Sequence, residues 1–208
     1  MNRFIENNQV TISGEIVSDF QYSHELYGER FYLVEVKVQR LSDSFDVIPV
    51  MVSERLVDTT YNCTGLKVSV AGQFRSYNKH EERKNRLVLS VFATEMEFTE
   101  ELDRDENEIF LDGYICKEPV YRKTPLGREI ADILLAVNRP YGKSDYIPCI
   151  CWGRNARFAG RLEVGERCEI HGRVQSRKYQ KMLGDDATET RVAYEVSVSK
   201  LEVLVDEE

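Results

Sequence analysis

Apolar and polar residues alternate with a period of two along most of the chain, the signature of strands with one buried face. In "FYLVEVKV" (Phe31 to Val38) the inward row is Val34, Val36 and Val38, and in "ADILLAVN" (Ala131 to Asn138) it is Ile133, Leu135 and Val137. "KVSVAG" and "CEIHG" alternate in the same way and end at Gly72 and Gly172. Helical spacing is confined to "RNARFAGRL" (Arg154 to Leu162), where Ala156, Phe158, Ala159 and Leu162 fall on one side. Its counterpart in the first half is the shorter "ERLVDTT" (Glu54 to Thr60).

The pattern occurs twice. Shifted by 99 positions, "ISGEIVSDFQYSHELYGERFYLVEVKVQR" (Ile12 to Arg40) falls on "LDGYICKEPVYRKTPLGREIADILLAVNR" (Leu111 to Arg139). Gly14 meets Gly113, Tyr22 meets Tyr121, Gly28 meets Gly127 and Arg40 meets Arg139; "DVIPV" then meets "DYIPC". One residue later in register, "GLKVSVAGQF" meets "GERCEIHGRV"; finally, "RLVLSV" (Arg86 to Val91) meets "RVAYEV" (Arg191 to Val196). Such self-similarity predicts two copies of one fold. Each copy holds about five strands, with a short helix between the third and fourth. That order suits an all-β, five-stranded Greek-key barrel of the OB-fold type, twice in tandem. The expected domains are residues 1–98 and 108–205, joined across 99–107, whose "TEELDRDEN" is acidic, lacks apolar periodicity and reads as a solvated tether.

Composition narrows the class. With 42% hydrophobic and 31% charged residues the chain is globular rather than disordered. Its net charge of −8 does not advertise a nucleic-acid binder, although binding depends on a local basic groove more than on the sum. The 5 cysteines are odd in number and form no CxxC pair. Cys149 and Cys151 share a strand face, but His24, His80 and His171 stand at no ligand spacing, so reduced core thiols and no metal are expected. "MNRFIENNQV" has no apolar signal region and no apolar run is long enough to span a bilayer; a cytoplasmic protein with no membrane partner is expected.

The informative chemistry is aromatic. "LLAVNRPYGKSDYIPCICWGRN" (Leu134 to Asn155) places Tyr141, Tyr146 and the only tryptophan, Trp152, among Arg139, Lys143 and Arg154. On a strand, Ile147, Cys149 and Cys151 would fill the interior. Tyr146 and Trp152, of opposite parity, would then face outward about 20 Å apart at ~3.3 Å per residue. Tyr179 follows the basic pair Arg177 and Lys178 where the fourth strand enters its hairpin.

Residues 107–204 resemble bacterial single-stranded DNA-binding proteins of the SSB family. The resemblance lies in "PVYRKTPLG", "AVNRPY", "DYIPCICWGR" and "GRVQSRKY", in family order and spacing. It implies bases stacked on Tyr141, Tyr146, Trp152 and Tyr179, and phosphates held by Arg122, Arg154, Arg177 and Lys178, with Arg139 beside them. It also implies single-stranded DNA as partner, roles in DNA replication, repair and recombination, no cofactor, no catalysis, and four barrels per assembly, hence a homodimer of this chain. The tail-mediated recruitment known in the family is not expected, because "LEVLVDEE" follows directly on the last strand.

The first half follows the template more faintly. Val47, Ser53 and Ser42 occupy the positions of Tyr146, Trp152 and Tyr141, while Tyr77 and the cations Lys79, Arg83, Lys84 and Arg86 supply a hairpin. Assembly, with at most phosphate tracking, is its expected role. The competing readings are an OB-fold adaptor of the primosome or protein-interaction type with weak nucleic-acid binding, and a nuclease using Asp185 and Asp186. Adjacent acids in a hairpin loop are usually just solvated, which disfavours the second.

Overall fold

The computed structural model describes residues 6–81, 84–101, 105–182 and 188–204, and side chains outside 78–86. Two barrels follow one another. The first is built from β1 (Asn8–Ile16), β2 (Gln21–Leu26), β3 (Glu29–Gln39), β4 (Phe45–Ser53), β5 (Lys67–Glu81) and β6 (Lys84–Thr99). β1 pairs antiparallel with β3 and β5, β3 with β4, and β5 with β6, and the ring closes where β4 runs parallel to β6 at Val50 and Met51. The second comprises β7 (Asn107–Lys123), β8 (Glu129–Asn138), β9 (Ser144–Trp152), the helix α1 (Gly153–Ala159), β10 (Arg167–Met182) and β11 (Thr188–Leu204). It closes identically, with β9 parallel to β11 at Cys149 and Ile150. Closure with one parallel pair is the Greek-key arrangement of small barrels.

Period-two patterning drives the closure. Val34, Val36 and Val38 line the first interior with Ile48, Val50 and Val70, and Ile133, Leu135 and Val137 line the second with Ile147, Ile170 and Val196; all are buried. Each such side chain contributes about 1.5–3 kcal/mol on leaving water. Gly72 and Gly172 sit at matching β-bulges, where a Cβ would stand 2.1 Å from the Phe92 carbonyl oxygen and 2.3 Å from that of Ser197. The glycines that mark the repeat are therefore steric necessities.

Two expectations are corrected. Only the second barrel carries a helix in the slot after the third strand; residues 54–60 fold as turns. There Asp58 accepts the N–H and hydroxyl of Thr60, and β-branched Val57, Thr59 and Thr60 disfavour helix. The tether is not simply solvated. Asp105 accepts the N–H of Gln39 at 2.7 Å, and Glu106 exchanges hydrogen bonds with Ser13 in both directions, so its described part is fastened to the first barrel. No helix among the described residues is long and apolar enough to cross a membrane.

The barrels meet edge to edge, β1 pairing antiparallel with β7 from Asn8↔Leu111 to Ile12↔Asn107. Flanking this ladder are two equivalent clasps. Asp46 binds Arg40 through Nε (2.8 Å) and Nη2 (2.6 Å) and accepts the N–H of Ser176 across the junction at 2.7 Å. Asp145 binds Arg139 in the same manner and accepts the N–H of Ser76.

Candidate nucleic-acid interface

In β9 the parity argument holds at both rings, although Ile150, between them on the same face, is buried. Ile147, Cys149 and Cys151 are buried, while Tyr146 and Trp152 are 44% and 41% exposed on the other face. Antiparallel pairing with β8 sets Trp152 opposite Ile130 and Tyr146 opposite Ala136. Ile130 is buried although it lies on this outer face. The indole thus stands over an apolar neighbour and leaves part of its ring open.

Tyr141 is fully exposed. It occupies a 3₁₀ turn over Pro140–Gly142 with φ +63°, a left-handed conformation uncommon outside glycine, which lifts the ring clear of the barrel. Tyr179 lies on β10 opposite Arg191, where the β10–β11 hairpin extends beyond the barrel wall, and is more than a third exposed.

The cations divide into three groups. Arg154, in the first turn of α1, and Lys178, on β10, are exposed and have no carboxylate partner among the described residues. Arg122 donates from Nε and Nη2 to Asp132 at 3.0 and 2.9 Å, and Arg177 stands 3.7 Å from Glu195. Both keep more than half of their side-chain surface in solvent, where such pairs contribute little and exchange readily. Arg139 stands apart: beyond its pairing with Asp145 it donates to the Ser76 carbonyl at 2.8 Å.

The thiols face inward. Burial pushes Cys151 up to about 12 and Cys168 up to about 11, and raises Cys149 well above its ordinary value. Protonated thiols in a barrel interior are poor metal ligands and nucleophiles. Asp185 and Asp186, and the side chains of Lys79, Arg83, Lys84 and Arg86, lie outside the described residues.

The first barrel holds a feature that the sequence did not reveal. A groove of about 730 Å³ opens between the β2–β3 hairpin and β5, lined by Tyr22, Phe31, Met51, Arg75, Tyr77 and Phe92 among others. His24 stacks on Phe31 with ring centroids 5.1 Å apart, and the Arg75 guanidinium lies 3.9 Å over Phe92. These residues come from five strands, at positions that do not match Tyr141, Tyr146 or Trp152, although Tyr22 aligns with Tyr121. The only signal in the sequence was an excess of aromatic residues on outward positions of β2 and β3.

The two barrels, the second with exposed rings on β9 and exposed cations on α1 and β10, are of the OB-fold class. Residues 106–204 match the Single-strand binding protein family. Single-stranded DNA-binding protein 3 of Listeria innocua is 36% identical over 103 residues, 46% of this chain and 64% of that protein. Single-stranded DNA-binding protein A of Bacillus subtilis is also 36% identical over 103 residues, 46% of this chain and 59% of its own length. This chain thus spans less than two thirds of these relatives. The single-stranded DNA binding protein from Thermus aquaticus superposes with a TM-score of 0.75 over 97% of this chain and 94% of its own, at 19% identity, so the whole two-barrel fold is shared.

Proposed function

We propose that this chain binds single-stranded DNA with little sequence preference, and without catalysis. Bases stack on Trp152, Tyr146, Tyr141 and Tyr179, and phosphates meet Arg154, Lys178, Arg177 and Arg122. The observation that carries this reading is the outward exposure of Tyr146 and Trp152 on β9 while their alternating neighbours are buried, within the segment that matches the family. Stacking is worth about 1–3 kcal/mol per base and accepts any base, and phosphate neutralisation adds a salt-dependent term blind to sequence. Duplex is excluded because its bases are already stacked on one another.

Arg139 is reassigned in this proposal. With Asp145, it holds the two barrels together and does not meet phosphate. The first barrel serves assembly, and two chains associate to present four barrels in the cytoplasm during DNA replication, repair and recombination. The adaptor reading gains no support, because an interaction module would not need rings left open beside unpaired cations.

The test is a titration of Trp152 fluorescence with oligo-dT. Saturable quenching at low salt that weakens steeply as salt rises is the expected result. An unchanged signal, with no oligomer bound by an independent method, would remove the proposal. Light scattering under the same conditions reads the dimer, and incubation of end-labelled single strand with magnesium reads any cleavage.

A further inference from the structure

The loop that carries Tyr141 is fastened at both feet by one residue of the first barrel. Its feet are Arg139 and Asp145. Arg139 Nε donates to the Asp145 carboxylate at 2.6 Å, and the Arg139 N–H donates to the Lys143 carbonyl at 2.7 Å. Ser76, buried on β5, donates its N–H to the Asp145 carboxylate, and its carbonyl accepts Arg139 Nη2 at 2.8 Å. Its side chain reaches one residue further: Ser76 Oγ accepts the backbone N–H of Tyr146 at 2.8 Å. One serine outside the second barrel thus holds the residues that flank two of its exposed rings. β9 runs beside β11 only at Cys149 and Ile150, so nearer its start the strand has β8 on one side and no strand on the other. The Ser76 hydroxyl supplies the acceptor that a neighbouring strand would otherwise give.

The equivalent clasp separates what the two barrels share from what they do not. There Ser176 donates its N–H to Asp46, and its carbonyl accepts Arg40 Nη2 at 3.3 Å, as at Ser76. The hydroxyls differ. Ser176 Oγ turns to the Asp46 carboxylate at 3.0 Å, whereas Ser76 Oγ takes the N–H of Tyr146. Val47, in the place of Tyr146, carries no ring. The hydroxyl contact to the neighbouring strand therefore accompanies the ring and not the clasp.

We propose that Ser76 is a positioning residue for the stacking surface: from the first barrel, its hydroxyl fixes the backbone of Tyr146 and so the direction in which that ring meets a base. The inference rests on the single-strand binding proposed above. It goes beyond that reading by giving the first barrel a part in affinity without contact with the strand. A ring held in place before a base arrives spares the ordering cost that association would otherwise meet.

The test is a double-mutant cycle in the full chain, with Ser176→Ala as its control. Ser76→Ala, Tyr146→Ala, the two combined, Ser176→Ala and the unaltered chain are each titrated against an end-labelled oligo-dT, read by anisotropy. An oligomer of about eight nucleotides falls within the about 4–16 that one barrel covers. Circular dichroism confirms that each variant is folded under the titration conditions. Ser76→Ala is expected to weaken binding by about two- to tenfold, the equivalent of one hydrogen bond, and Ser176→Ala to leave it unchanged. With Tyr146 already replaced by alanine, the substitution at Ser76 is expected to add no further loss. The loss from Ser76→Ala persists at high salt, because no phosphate contact is removed. Full affinity in Ser76→Ala would overturn the inference. Equal weakening in both serine variants would do the same, by making the effect one of junction stability. So would an identical loss with and without the Tyr146 ring. Each of these leaves single-strand binding by the second barrel intact; failure of the unaltered chain to bind the oligomer would remove that reading and the positioning role together.

Discussion

The Asp46 carboxylate, wholly buried in the first barrel, accepts the backbone N–H of Ser176 in the second at 2.7 Å and the Ser176 hydroxyl at 3.0 Å. Arg40 and Arg173 converge on the same carboxylate, at 2.6 and 3.3 Å. Asp145 reproduces this relationship toward Ser76, so each barrel inserts one aspartate into the other. A buried charge with all its partners in place is stable; removing it strands the partners. Asp46→Ala is expected to cost about 2–4 kcal/mol, and Asp145→Ala a similar amount. Urea unfolding followed by circular dichroism measures both. A shift below a few tenths of a kcal/mol would mean that the β1–β7 ladder alone holds the barrels.

The same clasp sets an acid limit. Burial raises the Asp46 pKa, but hydrogen bonds from Arg40 and Ser176 outweigh it and hold the group below the ordinary aspartate value of 3.8. A carboxyl lowered on folding stabilises the native state above its unfolded pKa, and that contribution disappears as pH falls through the folded value. Stability is therefore expected to be unaffected by this group near neutrality and to decline below about pH 4. Asp46→Asn, less stable at pH 7, is expected to show a shallower decline over that acid range. Urea midpoints for both proteins at a series of pH values check the difference in slope.

Much of this architecture was legible because closed barrels impose period two on every strand. The rows Val34–Val36–Val38 and Ile147–Cys149–Cys151 could be read directly, and the outward parity of Tyr146 and Trp152 followed from them. Arg139 misled because it stands in sequence among the aromatics. Its partner clasp held the corrective signal: Arg40 and Asp46 recur as Arg139 and Asp145 in both halves, whereas the aromatics occur in only one. A pair common to both repeats serves what the repeats share, here the junction. The groove of the first barrel was invisible for a different reason. Tyr22, Phe31, Arg75 and Phe92 meet only through pairing of β2, β3, β5 and β6, and no local pattern joins them. The missing first helix turned on side-chain capping by Asp58, a short-range preference that repeat alignment overrode.

The bulge glycines give a steric prediction. Gly72→Ala and Gly172→Ala would each drive a Cβ into a backbone carbonyl that cannot move without breaking the ladder. Each is expected to cost at least about 2 kcal/mol. Gly127→Ala is a contrast: its φ is +76°, but no atom lies within 4 Å of the added Cβ, so only the conformational penalty of about 1 kcal/mol remains. Thermal denaturation of the three variants ranks them. A Gly127→Ala variant less stable than the other two would overturn the steric account.

Thiol reactivity tests which way β9 faces. Cys149, Cys151 and Cys168 point into the second barrel, and Cys63 into the first. Their pKa values are raised by burial, so even where a reagent reached them little thiolate would be present near neutral pH. Cys116, half-buried and donating to the Leu134 carbonyl, is the most accessible. Brief labelling of the native protein with an alkylating reagent is expected to modify Cys116 first and the other four only after unfolding, as read by mass spectrometry. Early modification of Cys149 or Cys151 would place that row outside.

Removing the rings themselves is the sharpest test of what that orientation is for. Trp152 and Tyr146 contribute only part of their surface to packing, so Trp152→Ala and Tyr146→Ala are expected to shift the unfolding midpoint modestly. If each ring seats one base, each substitution costs about 1–3 kcal/mol of affinity, roughly five- to 150-fold. Anisotropy of a labelled oligo-dT measures this without the tryptophan signal. Arg154→Ala is expected to lower affinity less and to flatten the dependence of log K on log salt by about 0.7, because one phosphate contact releases one fewer counterion from a single strand. The two classes of substitution thus separate by salt: ring losses persist at high salt, whereas the loss from Arg154 shrinks. If Trp152→Ala instead unfolds the protein and leaves the affinity of the remaining folded fraction unchanged, the indole is a packing element and the proposed stacking surface does not exist.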